Sequence, residues 1–291
     1  MELLTILLAG FFSILVPGGW AIERLASNNL SSNLTTVEEL AIRVENSPSY
    51  QLVFGKLGGI KLASRGVEVQ PGLRIDTLEV ETDSIDVKLK DLSQGNLAQL
   101  RTSLNQPLQG GVRIILTEAD LNRALQSPKI QSQLQQALNG LIARKAGSSM
   151  SYQLINPRIE LQDGNRLSLA VSLCRSFAHQ NQIQSCVTDH DRSKSELNLK
   201  LEWGIKTVAG RKIELVEPIG TVNGRPMSAR LLTGFAQGIS DRLDLNTLEE
   251  NGIFARLLQL EIDQEQIALA GFVRMETFDN HLSWLKLSKL D

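Results

Sequence analysis

The stretch spanning residues 111–146 reads GVRIILTEADLNRALQSPKIQSQLQQALNGLIARKA and organises the rest of the chain. Its first part alternates apolar and polar residues, which predicts a strand that ends at Thr117. Thr117 followed by Asp120 resembles a capping box with aspartate in place of glutamate, so we expect a helix to begin there. Leucines then recur at helical spacing, and Pro128 predicts two helices or one kinked helix. An amphipathic helical unit of this length needs a large apolar partner.

Strands with one apolar face supply such a partner. The clearest is the segment 197–205, in which apolar residues alternate strictly with Asn198, Lys200, Glu202 and Gly204. Further upstream, Asp163-Gly164-Asn165 is a hairpin signal between two other strand segments. These patterns predict an α+β protein with a single domain over residues 24–276.

A second amphipathic helix is predicted after Pro226 and Ser228. Its apolar stripe consists of side chains spaced by four, namely Leu231, Phe235, Ile239 and Leu243. Gly234 and Gly238 form a GxxxG pattern within it, but the charged residues nearby exclude a membrane span. We therefore expect these glycines to allow close packing against a strand.

Both ends of the chain suggest contact with membranes. Residues 3–22 carry no charge, although Pro17-Gly18-Gly19 interrupts them. Three readings stay open for residues 1–23: an uncleaved membrane anchor, a cleaved signal segment, or a helix docked on the protein's own apolar surface. Residues 277–291 form a tail with Trp284, Lys286 and Lys289, which is either an amphipathic segment at a membrane interface or a loosely docked end.

Composition narrows the function. The 291 residues have a net charge of −2 and only 4% aromatic residues, which argues against nucleic acid as a partner. None of the GxSxG, HExxH, GxxxxGK[ST] or GxGxxG patterns occurs, so we expect neither an enzyme nor a bound cofactor. The alternative of an enzyme acting on lipids or glycolipids would need a buried pair of carboxylates.

The loop after residue 173 gathers both cysteines and two histidines, as Cys174, His179, Cys186 and His190. A Cys174–Cys186 disulfide, a pair of free thiols and a zinc site all fit this loop. The spacing matches no standard zinc finger, so we predict no metal site and retain the disulfide as a candidate.

Several segments together resemble the bacterial LmeA-like phospholipid-binding family. The resemblance is carried by residues 48–51 (PSYQ), 116–125 (LTEADLNRAL), 156–161 (NPRIEL), 208–211 (VAGR) and 242–250 (RLDLNTLEE). It covers most of residues 3–276 and implies a tubular lipid-binding-like fold, in which a curved, largely antiparallel β-sheet is wrapped around amphipathic helices. It also implies a phospholipid partner and an envelope-facing location, membrane-anchored or exported towards the periplasm or an equivalent compartment.

These expectations lead to a membrane-associated protein that binds or transfers phospholipid. Its acyl chains would be sheltered between the sheet and the helices, because an acyl-chain carrier needs a long aliphatic trough with few buried polar groups. On amphipathicity alone, the walls of that trough are assigned to Leu121, Leu125, Leu134, Leu138, Leu231, Phe235, Ile239 and Leu243. The alternative is a non-enzymatic envelope scaffold with a solid core, which assists lipid or glycolipid assembly.

Overall fold

The computed structural model describes residues 37–45, 49–88, 101–146, 151–176, 178–179, 182–183 and 196–277. The strands are, in chain order, β1 (Glu39–Glu45), β2 (Lys56–Leu57), β3 (Gly59–Gln70), β4 (Leu73–Thr82), β5 (Ile85–Asp86), β6 (Leu108–Thr117), β7 (Ser151–Gln162), β8 (Arg166–Ser176), β9 (Ala178–His179), β10 (Gln182–Ile183), β11 (Glu196–Val208), β12 (Lys212–Val222), β13 (Arg225–Pro226), β14 (Ile253–Ile262) and β15 (Gln266–Met275). The α-helices are α1 (Glu118–Gln126), α2 (Pro128–Ala146) and α3 (Ala229–Ser240), and short 3₁₀ helices span Ser49–Phe54, Asp241–Leu243 and Leu245–Asn251.

Six strands form the first sheet, in the order β1-β3-β4-β6-β15-β14, and all neighbouring pairs are antiparallel. Leu62, Val80 and Val112 lie opposite one another in register, so alternation places them on the same face of the sheet. At one end of the sheet, the small two-stranded sheet of β2 and β5 adds its side chains to a buried apolar group. We name this group the end cluster; it consists of Leu57, Ile60, Ile85, Val87, Leu104, Leu108, Ile253 and Met275.

Five strands form the second sheet, in the order β13-β12-β11-β8-β7. The turn between β7 and β8 contains Gly164 and Asn165 at positive φ, as the hairpin signal predicts. One face of this sheet is apolar because Leu199, Leu201 and Trp203 alternate with polar residues along β11. Their partners in β8 are apolar as well, since Leu201 pairs with Leu169 and Trp203 with Leu167.

The two sheets meet where the hairpin turns of the second sheet reach β14 of the first. The backbone N–H of Asn165 donates to the carbonyl of Ile262 at 3.3 Å, and the side-chain oxygen of Asn165 accepts from the N–H of Ile262 at 2.7 Å. Leu257 donates its backbone N–H to the carbonyl of Gly210 at 2.7 Å. These bonds satisfy backbone groups of an edge strand that would otherwise lack partners.

The central segment folds as its sequence predicts. Thr117 is the N-cap of α1, and its hydroxyl accepts from the backbone N–H of Asp120 at 3.1 Å. Helix α1 ends at Gln126 and α2 begins at Pro128, so the proline separates two helices.

The strands are largely antiparallel, as predicted, but within the described part of the chain they are divided between two main sheets instead of one curved sheet. The expected N-terminal hydrophobic helix lies outside the described residues, and so does the tail from residue 278 onward. The domain boundaries at residues 23 and 276 therefore remain predictions. Of the helices in the described ranges, none is long and apolar enough to cross a membrane.

Candidate functional site

The apolar face of the second sheet is the candidate site, and its solid part is a group of buried side chains around Trp203. The ring of Trp203 meets that of Phe235 from α3 edge-on, with centroids 6.1 Å apart and an interplanar angle of 66°. Ile262 of β14 closes the group from the side of the first sheet. We name it the central cluster; it consists of Leu161, Leu167, Leu201, Trp203, Leu215, Leu232, Ala236 and Ile262.

Around the central cluster the same face carries side chains that keep part of their surface exposed. Helices and strands both contribute to them, and all of them contact the buried group. We name six of these residues the apolar strip: Leu121, Ile159, Leu169, Leu199, Phe235 and Ile239. The strip is therefore an apolar surface, lying between helical and sheet elements, that the described fold covers only partly.

On one side, α1 and α2 run along β7, the edge strand of the second sheet. Asn122 binds the backbone of Ile159 twice: its Nδ2 donates to the carbonyl at 2.8 Å, and its Oδ1 accepts from the N–H at 2.9 Å. This arrangement imitates the pairing that a neighbouring strand would provide. It blocks the open edge of the sheet with a helix.

The same device is repeated along the two helices. Glu118 Oε2 accepts from the N–H of Leu161 at 2.9 Å. Gln126 Nε2 donates to the carbonyl of Pro157 at 3.1 Å. On α2, Gln135 Oε1 accepts from the N–H of Leu154 at 2.9 Å. In the helical wall formed by α1 and α2, these polar side chains thus form hydrogen bonds with the backbone of β7.

This polar row was not predicted, although its spacing is visible in the sequence. Glu118, Asn122 and Gln126 are spaced by four along α1, which places them on one side of the helix. Such a row normally faces water, and periodicity cannot show that it faces the backbone of a strand that lies far away in sequence.

Helix α1 is fixed to the first sheet by a buried ion pair. Asp120 is only 2% exposed and accepts from Arg74 Nη1 of β4 at 3.0 and 3.1 Å. Arg74 also pairs with Glu38 and Asp76. Burial lowers the pKa of Arg74, but hydrogen bonds and attraction from Asp120 and the other carboxylates outweigh it, so the pKa is raised. The pair joins the site to the first sheet.

On the other side, α3 packs along β12 through small and apolar side chains. Gly220 makes this possible, because a Cβ atom there would lie 2.7 Å from Leu232 Cδ2 and 2.8 Å from Leu201 Cδ2. The hydroxyl of Ser240 accepts from the backbone N–H of Leu215 at 3.0 Å. Helix α3, which forms the second wall, is therefore held mainly by the close fit of its apolar side chains against the sheet.

The buried side of α3 is one position away from the predicted stripe. Its buried residues are Leu232, Ala236 and Ser240. Leu231 and Leu243 are 44% and 38% exposed, so the protein's own sheet covers them only in part, and their assignment to lipid contact stays a prediction. Residues 231, 235 and 239 have the same helical spacing as residues 232, 236 and 240. The close contact of Leu232 with Gly220 places the second set against β12. Phe235 and Ile239 flank that contact and belong to the apolar strip.

The other predicted wall residues lie on α1 and α2. Leu121 belongs to the apolar strip, Leu125 is buried with 9% exposure, and Leu134 is half-buried. Leu138 lies in α2, but its side chain is outside the described residues. The assignment of these positions to lipid contact stays a prediction.

Of two sequence features outside the strip, the GxxxG pattern differs from its expectation and the candidate disulfide agrees with the state of Cys174. A Cβ atom at Gly234 or Gly238 would meet no atom within 4 Å, so the GxxxG pattern does not serve strand packing. Cys174 is disulfide-bonded and 6% exposed, while its predicted partner Cys186 lies outside the described residues.

The first sheet carries a separate groove of about 550 Å³. It crosses all six strands, and its lining combines small residues such as Ala63 with the cations Lys61 and Arg113. Lys61 pairs with Glu45 and Glu81, and Arg113 pairs with Glu79. An acyl chain in this groove would take solvated ion pairs out of water, which makes the apolar strip the better site for one.

Comparison with known proteins gives one family. The family model described as LmeA-like phospholipid-binding matches residues 15–272 of the chain. No curated protein matches the chain.

Proposed function

The chain belongs to the LmeA-like phospholipid-binding family, and from this premise we propose that it is a membrane-associated protein that binds and transfers phospholipid. The acyl chains lie on the apolar strip of the second sheet, between the helical wall of α1 and α2 and the wall of α3. In this arrangement the sheet and the helices together form the tubular shelter of a lipid carrier. No covalent step is involved.

The observation that carries the proposal is the half-buried apolar strip beside a solid cluster. Each acyl methylene removed from water is worth about 0.8 kcal/mol, so a long apolar surface between two walls binds an acyl chain strongly. Glu118, Asn122 and Gln126 bond to the backbone of β7, so these polar side chains have partners within the protein. The strip thus has the apolar lining that an acyl-chain site requires.

Two further features support a location in the cell envelope. Residues 3–22 carry no charge and suit an anchor or signal segment. The disulfide at Cys174 suits an oxidising compartment. We therefore place the protein on the membrane or in the exported state, facing the periplasm or an equivalent compartment.

A second candidate function is a non-enzymatic envelope scaffold that assists lipid or glycolipid assembly. The close packing of Trp203 against Phe235 favours it, because that part of the face is filled by the protein's own side chains. In a scaffold, the protein's own side chains would also fill the apolar strip, and no exchangeable lipid would be bound.

Native mass spectrometry of the full chain, combined with organic extraction of bound lipid, separates the two functions. We compare the wild type with Leu199→Trp, which enlarges a half-buried side chain of the strip, and with Lys200→Trp as a matched control. Lys200 is the next residue of β11 and is exposed on the opposite face.

The wild type and Lys200→Trp should carry one or two phospholipids per chain, whereas Leu199→Trp should lose most of this lipid because the larger ring occupies the acyl-chain site. Circular dichroism checks that both variants are folded. A wild-type chain without lipid, even after incubation with phospholipid vesicles, would favour the scaffold. Equal lipid in both variants would remove the strip as the binding site.

A further inference from the structure

Two aromatic side chains protrude from the end of the first sheet that holds the end cluster. Tyr50 and Phe54 belong to the 3₁₀ helix Ser49–Phe54 and are 65% and 69% exposed. Exposed single apolar residues are common, but two large exposed rings within one six-residue 3₁₀ helix place much apolar surface in a small region. Most of the surface of both rings is therefore left uncovered by the protein itself.

The short helix is held on a rigid base. Directly after Phe54, the carbonyl of Gly55 accepts from the backbone N–H of Val87 at 2.9 Å. Leu57 follows in β2, and both Val87 and Leu57 are buried members of the end cluster, at 1% and 5% exposure. The two rings are therefore presented outward by a fixed support.

Basic side chains flank the rings. Lys56 has 57% of its side chain exposed and pairs with Asp86 at 3.5 Å. Lys88 is exposed, and its backbone N–H donates to the carbonyl of Ser103 at 2.7 Å beside the end cluster. Aromatic rings with neighbouring lysines are the combination that favours the interface of a bilayer containing anionic lipids.

The described chain also ends at this place. Met275 is a member of the end cluster with 1% exposure, and the N–H of Glu276 donates to the carbonyl of Gly252 at 2.9 Å. Residues 278–291, which continue from there, contain Trp284, Lys286 and Lys289. The sequence that leaves the described fold thus has the same aromatic and basic character as the surface beside it.

We propose that the surface formed by Tyr50 and Phe54 docks on a phospholipid bilayer and inserts its rings at the interface. The inference rests on the proposed function, since it names the part of the molecule that meets the membrane with which lipid is exchanged. Tyrosine suits this position because its ring enters the apolar region while its hydroxyl stays among the polar headgroups.

The test places an added tryptophan in the full chain as a probe. Phe54→Trp replaces one exposed aromatic ring with another, so its effect on folding is small. Leu258→Trp is the matched control, because Leu258 is 73% exposed on β14 outside the end cluster. Vesicles of phosphatidylcholine and phosphatidylglycerol with brominated acyl chains are added, and the added emission is obtained by subtracting the wild-type spectrum.

The added emission of Phe54→Trp should shift to shorter wavelength and be quenched by the brominated chains, while that of Leu258→Trp should keep its position and intensity. No quenching in either variant overturns the docking surface. Equal quenching in both also overturns it, because apolar adsorption without a preferred surface produces that result.

A separate measurement distinguishes failure of this inference from failure of the proposed function. The double variant Tyr50→Ser, Phe54→Ser should retain the wild-type amount of bound lipid per chain, and its rate of phospholipid transfer between vesicles should fall about tenfold or more. Lipid on the wild type without insertion of the probe refutes docking alone. Insertion without bound lipid refutes the proposed function and leaves docking intact.

Discussion

Helix α1 and helix α3 flank the same apolar face, but different kinds of contact hold them there. Helix α1 is fixed by an ion pair to the first sheet and by amide and carboxylate groups to β7 of the second. Helix α3 is fixed by Leu232 and Ala236, which pack against the second sheet at Gly220. An ion pair and hydrogen bonds thus hold one wall of the candidate site, and close apolar packing holds the other.

A stripe of similar residues along a helix therefore indicates which side of the helix is covered but not what covers it. In α1, three polar residues spaced by four contact strand backbone, and the apolar residues lie beside them. In α3, the covered residues include alanine and serine, whose small size allows the helix to approach the sheet. We therefore expect removal of polar groups to destabilise the attachment of α1, and removal of apolar volume to destabilise the attachment of α3.

The largest effect is expected at Asp120. Asp120→Ala leaves Arg74, which is 19% exposed, with only its more exposed partners Glu38 and Asp76, and it also removes the acceptor of the Thr117 hydroxyl. Because loss of one member of a buried ion pair costs about 3–5 kcal/mol, we expect a loss near the lower end of that range. Denaturant unfolding gives the change in free energy. Glu38→Ala removes a 62% exposed partner of the same arginine and should cost about 1 kcal/mol or less. Similar losses for the two variants would show that the buried pair does not hold α1.

A somewhat smaller effect is expected at Leu232, where apolar packing holds α3. Leu232 is 6% exposed, and Leu232→Ala should lower the free energy of unfolding by about 2–4 kcal/mol through lost burial and a cavity. Its neighbour Leu231 is 44% exposed, so Leu231→Ala should cost about 0.5 kcal/mol. A larger loss at Leu231 than at Leu232 would show that the stripe of Leu231 and Phe235, and not that of Leu232, holds α3 on the sheet. Thermal or denaturant unfolding of both variants decides the matter.

The smallest of the three effects is expected at Asn122. Asn122→Ala removes both bonds to Ile159 and leaves part of the β7 edge without partners, at a cost of about 1–3 kcal/mol. Hydrogen exchange should accelerate at Ile159, whose N–H loses its acceptor, before the stability of the whole protein is lost. Gln133→Ala, on the exposed side of α2, is the control and should leave exchange in β7 unchanged. Unchanged exchange at Ile159 in Asn122→Ala would mean that the helix does not protect this edge.

Local features of the fold were predictable because they depend on neighbours in sequence. The N-cap at Thr117, the helix break at Pro128 and the hairpin turn at Asn165 follow from backbone chemistry within a few residues. The alternation of β11 likewise identified the apolar face, since successive strand residues point to opposite sides. The family resemblance was also confirmed, over residues 15–272.

The burial of the predicted wall positions could not be read from the sequence because it depends on contacts distant in sequence, and their role in lipid contact stays a prediction. Phe235 and Ile239 lie beside the central cluster, but Leu231 and Leu243 are exposed. The phase of α3 is set by Gly220 of β12, where the missing side chain admits Leu232. Amphipathicity favours the stripe of Leu231, Phe235 and Ile239 because its side chains are larger and more apolar, whereas the most buried residues are the smaller Leu232, Ala236 and Ser240.

The start of α1, the break at Pro128, the apolar face of β11 and the family to which the chain belongs follow from the amino-acid sequence. That Asn122 completes the pairing of Ile159 and that Asp120 reaches Arg74 in another sheet follows only from the folded arrangement. Periodicity records the apolar side of an element, whereas the partner of a polar group depends on where distant strands lie. The two walls of the candidate site are therefore visible in the sequence, and what holds each of them is visible only in the fold.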